Sequence, residues 1–217
     1  MTINIRNIMT AILLSGCVTI ITLQAASTVP QCLESNRPVG TARGIHPGRV
    51  VWSHAPGAAS WDGGDGTWFD DKYNDQAACK WLVDRTIIGI SGEESPDKAW
   101  NAIFRHFNTN HGNKDAGYRH GEKIAIKINN NNTYSHQDSR EINTSPQMLL
   151  ALLTSLIEEG GVSQEDITVA EPSRFITNFI YDKCHKRFPG VRFVDNCGGD
   201  GRIKAEYIPD AMHYSRD

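Results

Sequence analysis

The sequence predicts an α/β protein with a mostly parallel sheet and helices on both faces of the sheet, which is a three-layer sandwich. In the second half of the chain, short apolar segments of strand length alternate with longer segments that have helical periodicity. Strands that a helix separates pair in parallel through right-handed crossovers. The composition, with 39% hydrophobic and 22% charged residues, is that of an ordinary globular protein.

Four strands are predicted from apolar runs that turn residues or helices follow. They are residues 49–54, 124–129, 166–170 and 191–195. Two Gly-Gly-Asp-Gly runs, residues 63–66 and 198–201, precede no apolar helix and are predicted as turns, with a cation-binding loop as the alternative.

Four helices are predicted from their capping residues and from the spacing of apolar side chains. Asn74 or Asp75 can cap the first helix. Ser-Pro dipeptides begin the second helix at Ser95 and the third at Ser145. The third helix is strongly apolar and ends at a Gly-Gly pair, and the fourth covers residues 174–187.

Residues 1–26 have the features of an export signal, because Arg6 precedes an apolar run that small residues follow. Within the run, Leu-Ser-Gly-Cys resembles a bacterial lipoprotein box, which would make Cys17 the lipidated residue. Cleavage after the small residues, cleavage before Cys17 and an uncleaved anchor all remain open. The first two predict an exported protein, periplasmic or lipid-anchored. Residues 27–47 are predicted as a lead-in segment and residues 48–217 as the α/β domain.

An exported protein can form disulfides, and four cysteines remain apart from Cys17. None of them forms a Cys-x-x-Cys motif, so neither a zinc centre nor an iron–sulfur cluster is predicted. Cys184 and Cys197 end consecutive elements and are the favoured disulfide pair. Four free thiols are the alternative.

The charge balance narrows the classes of partner. The chain has 22 Lys and Arg against 25 Asp and Glu, for a net charge of −3, which does not favour nucleic acid. The only long apolar run is N-terminal, so membrane contact is predicted only through the signal or a lipid anchor. A small-molecule ligand is the expected partner.

Charged residues end three of the predicted strands, at the edge where parallel sheets bind ligands. Lys127 alternates with isoleucine in a strand that is expected to be covered on both faces, and an unpaired buried ammonium is unfavourable. Glu171 and Asp195 end neighbouring strands, so a lysine–carboxylate cluster is expected there. Alternatively, Lys127 lies at a sheet edge near the surface, and the two acids are caps and turn formers.

The start of the third helix is a second candidate binding feature, because free N–H groups at a helix N-terminus attract anions. Asn129, Asn130 and Ser145 would add polar side chains to it. The alternative for Ser145 is a simple N-cap. Neither a P-loop nor a Gly-x-Gly-x-x-Gly motif is present, so nucleotide binding is not predicted. The histidine spacing matches no zinc-hydrolase motif, and no metal site is predicted.

One series of motifs extends from the second predicted strand to the last turn. It comprises residues 121–129, Ser145-Pro146 with its leucine-rich helix, residues 166–169 and the segment 194–201. In these motifs the chain, from about Gly44 onward, resembles the domain-of-unknown-function family 362, in particular its exported Bacteroidetes-type members. The resemblance implies an unestablished activity and a chain that is only the N-terminal part of the domain. Iron–sulfur modules occur with some relatives, but this chain lacks clustered cysteines.

Three functions are compatible with these patterns. The first is a domain that binds a small anionic or metal-chelated ligand at the carboxyl ends of its strands. The second is a proton-transfer or isomerase-like enzyme with Lys127 as base and Glu171 or Asp195 as its partner. The third is a non-catalytic interaction domain of the cell envelope.

Overall fold

The computed structural model describes residues 40–132, 135–138 and 140–208. The chain divides into two compact units, Met1–Thr41 and Ala42–Asp217, and all elements below belong to the second. The predicted export signal, with Cys17, lies outside the described residues, so its type stays a prediction.

A four-stranded parallel sheet forms the base of the fold. Its strands are β1 (Ile124–Lys127), β2 (Ile167–Glu171), β3 (Arg192–Asp195) and β4 (Ile203–Lys204), and they lie in this order across the sheet. The register pairs Glu171 with Asp195, so the carboxyl ends of β2 and β3 meet. The predicted α/β class and the parallel sheet are confirmed.

Four α-helices accompany the sheet: α1 (Gln76–Ser91), α2 (Pro96–Asn110), α3 (Pro146–Thr154) and α4 (Asn178–Arg187). The side chain of Asp75 caps α1 by accepting two backbone N–H groups. One π-helical turn, Ser155–Glu159, continues α3. Short 3-10 turns are formed by Asp71–Tyr73 and Gln164–Asp166. No helix in the described ranges is long and apolar enough to cross a membrane.

All four helices pack on the same face of the sheet. One core cluster joins Trp100 of α2, Leu153 of α3 and Ile180 of α4 to Val169 and Phe193 of the strands, with Ile87 of α1 against it. The opposite face of the sheet is half-buried or exposed, as its residues show: Ala125, Lys127, Thr168, Ala170, Arg192 and Val194.

The strand order accounts for the position of α3 and α4, the two helices that connect strands of the sheet. Strands that follow each other across a sheet in sequence order, joined by right-handed crossovers, place every crossover helix on one side. Within the described ranges the fold therefore has two layers, and the second helical layer of the predicted three-layer sandwich is not among them.

Residues 49–54, the first predicted strand, form no strand but run along α1. The guanidinium of Arg49 donates to the carbonyl oxygen of Gly89 at 3.1 Å, and the Thr86 hydroxyl donates to Ser53 at 2.9 Å. Val51 packs so closely that a Cβ on Gly89 would lie 2.8 Å from it. The contact begins within the predicted lead-in segment, since His46 lies 2.7 Å from the carbonyl oxygen of Ser91.

The predicted disulfide between Cys184 and Cys197 is not formed, and both are free thiols. Cys184 is a buried residue of α4, and burial raises the pKa of its thiol to about 12. Cys197 is exposed in the turn after β3. The two sulfur atoms therefore belong to different environments, the core and the surface.

Candidate functional site

An ion pair joins the carboxyl ends of β1 and β2. Nζ of Lys127 lies 2.7 Å from Oε2 of Glu171, and the same ammonium donates to the carbonyl oxygen of Ile128. The Glu171 side chain is 1% exposed, whereas that of Lys127 is 57% exposed. The predicted contact is present, with Lys127 at the sheet edge and partly in solvent.

Glu171 is held in its ionised form by several donors. Burial opposes ionisation, but hydrogen bonds from Lys127, Ser173 and the backbone N–H of Asn130 outweigh it and lower the pKa of Glu171 below its ordinary value. The Ser173 hydroxyl donates at 2.7 Å. Lys127 therefore faces a fixed negative charge, and two of its three ammonium hydrogens are used.

Asp195 does not join this pair within the described ranges, although it lies in register with Glu171. Its Oδ1 accepts from the backbone N–H groups of Cys197 at 3.0 Å and Gly198 at 2.7 Å. Its Oδ2 accepts from the N–H of Ile176 at 3.1 Å. This fully buried carboxylate therefore joins the turn after β3 to the segment before α4.

His136 is the residue of catalytic type that the sequence analysis missed. Its Nε2 lies 2.8 Å from Oδ2 of Asp195 and its Nδ1 lies 3.3 Å from Oδ2 of Asp200. The side chain is only 11% exposed. His136 belongs to no motif and is 59 residues from Asp195 in the sequence, so only the fold brings the two together.

The turn at residues 198–201 is built around Asp200, whose φ of 49° lies in the left-handed region. Its carboxylate faces His136, and its carbonyl oxygen accepts from the guanidinium of Arg202 at 2.7 Å. The described residues contain no group of three or more His, Cys, Asp or Glu side chains that could hold a metal ion.

The four consecutive asparagines, residues 129–132, mainly stabilise the loop before α3 through hydrogen bonds. Asn130 is buried, its amide donates to the carbonyl oxygen of Phe175 at 3.0 Å, and its side-chain oxygen accepts from the N–H of Thr144 at 3.1 Å. Asn130 is therefore a structural residue and not a free ligand donor. The side chain of Asn129 is exposed and has no hydrogen bond among the described residues.

Ser145 caps α3, as the alternative for this residue predicts. Its hydroxyl oxygen accepts from the N–H of Met148 at 3.3 Å, and its O–H donates to Oε1 of Gln147 at the same distance. The hydroxyl of Ser145 therefore forms its hydrogen bonds, one as donor and one as acceptor, with residues of α3 itself.

A cleft of about 470 Å³ opens beside β1, between α1 and α3. Its walls are apolar and are formed mainly by Leu82, Val83, Ile87, Ile126, Ile128, Met148, Leu149 and Leu152. Polar groups reach it from Lys127, Asn129, Thr144, Ser53 and Thr86. Of the predicted site residues, Lys127 and Asn129 line the cleft, whereas Asn130, Ser145, Glu171 and Asp195 do not.

A second lysine–carboxylate pair lies at the amino end of β1. Nζ of Lys123 lies 2.5 Å from Oδ1 of Asp166. The hydroxyl of Tyr118 and the N–H of Gly121 donate to the other oxygen, Oδ2, both at 2.6 Å. Asp166 is 3% exposed and Lys123 is 63% exposed. The donors hold the pKa of Asp166 far below its ordinary value, with Lys123 making the largest contribution.

This pair predicts a pH dependence of stability. Because the folded-state pKa of Asp166 lies below the unfolded value of 3.8, its contribution is complete above that pH and is lost as the pH falls toward the folded-state value. We expect the gap in urea midpoint between the wild type and Asp166→Asn to shrink between about pH 4 and pH 2. Urea denaturation at several pH values measures this gap. A gap that stays constant over the range would contradict the lowered pKa of Asp166 in the folded protein.

Fold and site together define a parallel α/β protein with a ligand-sized apolar cleft beside β1 and a lysine at the carboxyl end of that strand. Comparison of the chain with protein-family models, curated proteins and solved structures found no match. The resemblance to family 362 therefore stays a prediction.

Proposed function

We propose that the protein binds a small anionic ligand in the cleft beside β1, with Lys127 as the group that binds the negative charge. The observation that carries this proposal is the position of Lys127, a residue that lines an apolar cleft of about 470 Å³ and whose side chain is 57% exposed. Small-molecule sites are typically apolar clefts of this size with a few placed polar groups.

The charges around the cleft favour an anion. Lys127 is the one charged residue in its described lining, and Glu171, the carboxylate that pairs with it, is almost fully buried and does not line the cleft. One ammonium hydrogen of Lys127 remains after its bonds to Glu171 and Ile128. The exposed amide of Asn129 offers a further donor beside it.

The same contacts favour binding over proton transfer. A general base must be able to accept a proton, whereas Lys127 donates to an ionised carboxylate at 2.7 Å. The metal-chelated form of the ligand has no separate support, because the described lining of the cleft contains no His, Cys, Asp or Glu.

The proposal is tested with anilinonaphthalene sulfonate, an apolar anion whose fluorescence rises on binding. We expect saturable binding to one site per chain and a loss of about tenfold in affinity in Lys127→Met, because a charged hydrogen bond is removed. Lys123→Met is the matched control, since it also leaves a buried carboxylate without its lysine but lies away from the cleft. Unsaturable binding, or equal losses in both variants, would refute the proposal.

A further inference from the structure

We infer that the anion bound in the cleft is the C-terminal carboxylate of an extended peptide, which adds as a strand beside β1. This inference rests on the proposed function, because it names the chemical class of the ligand that Lys127 binds. Three features of the molecule support the inference. They are the open edge of β1, the apolar cleft beside that edge, and the ammonium of Lys127 at the carboxyl end of β1.

β1 is an edge strand of the described sheet, and one row of its backbone groups has no partner among the described residues. The N–H of Ile128 donates to the carbonyl oxygen of Ala170 in β2 at 3.0 Å. Backbone groups of alternate residues in a strand point to opposite sides, so those of Ala125 and Lys127 face away from β2. They have no backbone partner in the part of the chain that the structure describes. Such an edge is a template for a further strand.

The cleft offers space for the side chains of such a strand. Ile126 and Ile128 line it from the sheet, while Leu82 of α1 and Leu152 of α3 line it from the helical layer. Every second side chain of an extended peptide points to the same face, so alternate apolar residues of an added strand would enter the cleft. The remaining side chains would point to the open face of the sheet.

The charge at the end of β1 sets the direction of the peptide. All four strands are parallel, and a peptide that continues this pattern ends beside Lys127 at the carboxyl end of β1. The Lys127 side chain is 57% exposed and keeps one ammonium hydrogen beyond its bonds to Glu171 and Ile128, so it can donate to a terminal carboxylate there, and Asn129 lines the same cleft. Strand addition combined with capture of a terminal carboxylate is an established mode of peptide recognition. The four residues of β1 match a peptide segment of about 13 Å.

The test uses a fluorescein-labelled peptide, Gly-Ser-Thr-Val-Thr-Leu, which has apolar residues at alternate positions. We expect the free acid to bind about tenfold more tightly than its C-terminal amide. This preference should vanish in Lys127→Met and persist in Lys123→Met. Fluorescence anisotropy measures all of these affinities.

Backbone methylation tests strand addition without altering the protein. Two further peptides carry N-methyl groups on one or the other set of alternate amides. Only one set faces β1 in an added strand, so we expect one of these peptides to bind about tenfold more weakly than the other.

Equal affinity of the acid and the amide, or of the two methylated peptides, would overturn the inference. If anilinonaphthalene sulfonate binds through Lys127 and no peptide does, the peptide inference fails and the proposed function stands. If neither binds, both fail. A dimer in sedimentation without peptide binding would assign the edge of β1 to a second copy of the chain and also overturn the inference.

Discussion

Replacing Asp195 by alanine should lower the free energy of unfolding by about 4 kcal/mol, as expected when a buried charge network loses one partner. The substitution leaves the N–H groups of Ile176, Cys197 and Gly198, and the ring of His136, without their acceptor. All four contacts converge on one carboxylate that solvent does not reach. Urea denaturation followed by circular dichroism measures the loss.

Asp200→Asn is the matched control, because Asp200 also contacts His136 but is 77% exposed, and asparagine tolerates the left-handed φ of 49° at this position. Its loss should be below about 1 kcal/mol, as for an exposed ion pair. Similar losses in the two variants would mean that Asp195 does not hold the turn and the α4 segment together. The expected difference in stability between the two variants would assign a structural role to Asp195, one of the catalytic candidates.

Phe193→Ala should cost about 3–5 kcal/mol of stability, because it removes a large buried ring from the core. Phe193 is 1% exposed, and its ring lies 5.1 Å from that of Tyr181 in an edge-on contact. Denaturation in urea, with the slope of the transition compared between variants, measures the change.

Val194→Ala is the control for this prediction, because Val194 is the next residue along β3 and points to the open face. It is half-buried, so its truncation should cost about 1 kcal/mol or less. A loss as large as that of Phe193→Ala would contradict the one-sided core and would mean that another layer covers this face in solution.

The elements that the sequence predicts correctly are those with strong local patterns. The isoleucines of β1 and the capped, leucine-rich α3 are recognisable without any tertiary information. Residues 49–54 differ, because an apolar alternation is equally suited to packing along a helix, and Gly89 on α1 provides the space. The number of layers depends on strand order, which no local pattern encodes.

The candidate site shows the same distinction between residues that a local pattern identifies and residues whose role depends on the fold. Lys127 and Glu171 were expected to meet because the ends of parallel strands share an edge. Three of the other candidates, Asn130, Ser145 and Asp195, are polar residues that satisfy nearby backbone groups, which residue type alone does not reveal. The role of His136 depends on a contact across 59 residues.

The sequential strand order also bears on how the protein folds during synthesis. Each strand after β1 pairs with the strand that precedes it in the chain, so β1 and β2 can join once β2 has left the ribosome, and β3 and β4 then extend the sheet. After β1, every strand of the described sheet has a partner that is already translated, which keeps these pairings local for a parallel topology. Because the described sheet is extended only on the side away from β1, the first strand stays at its edge. The cleft lies beside that edge.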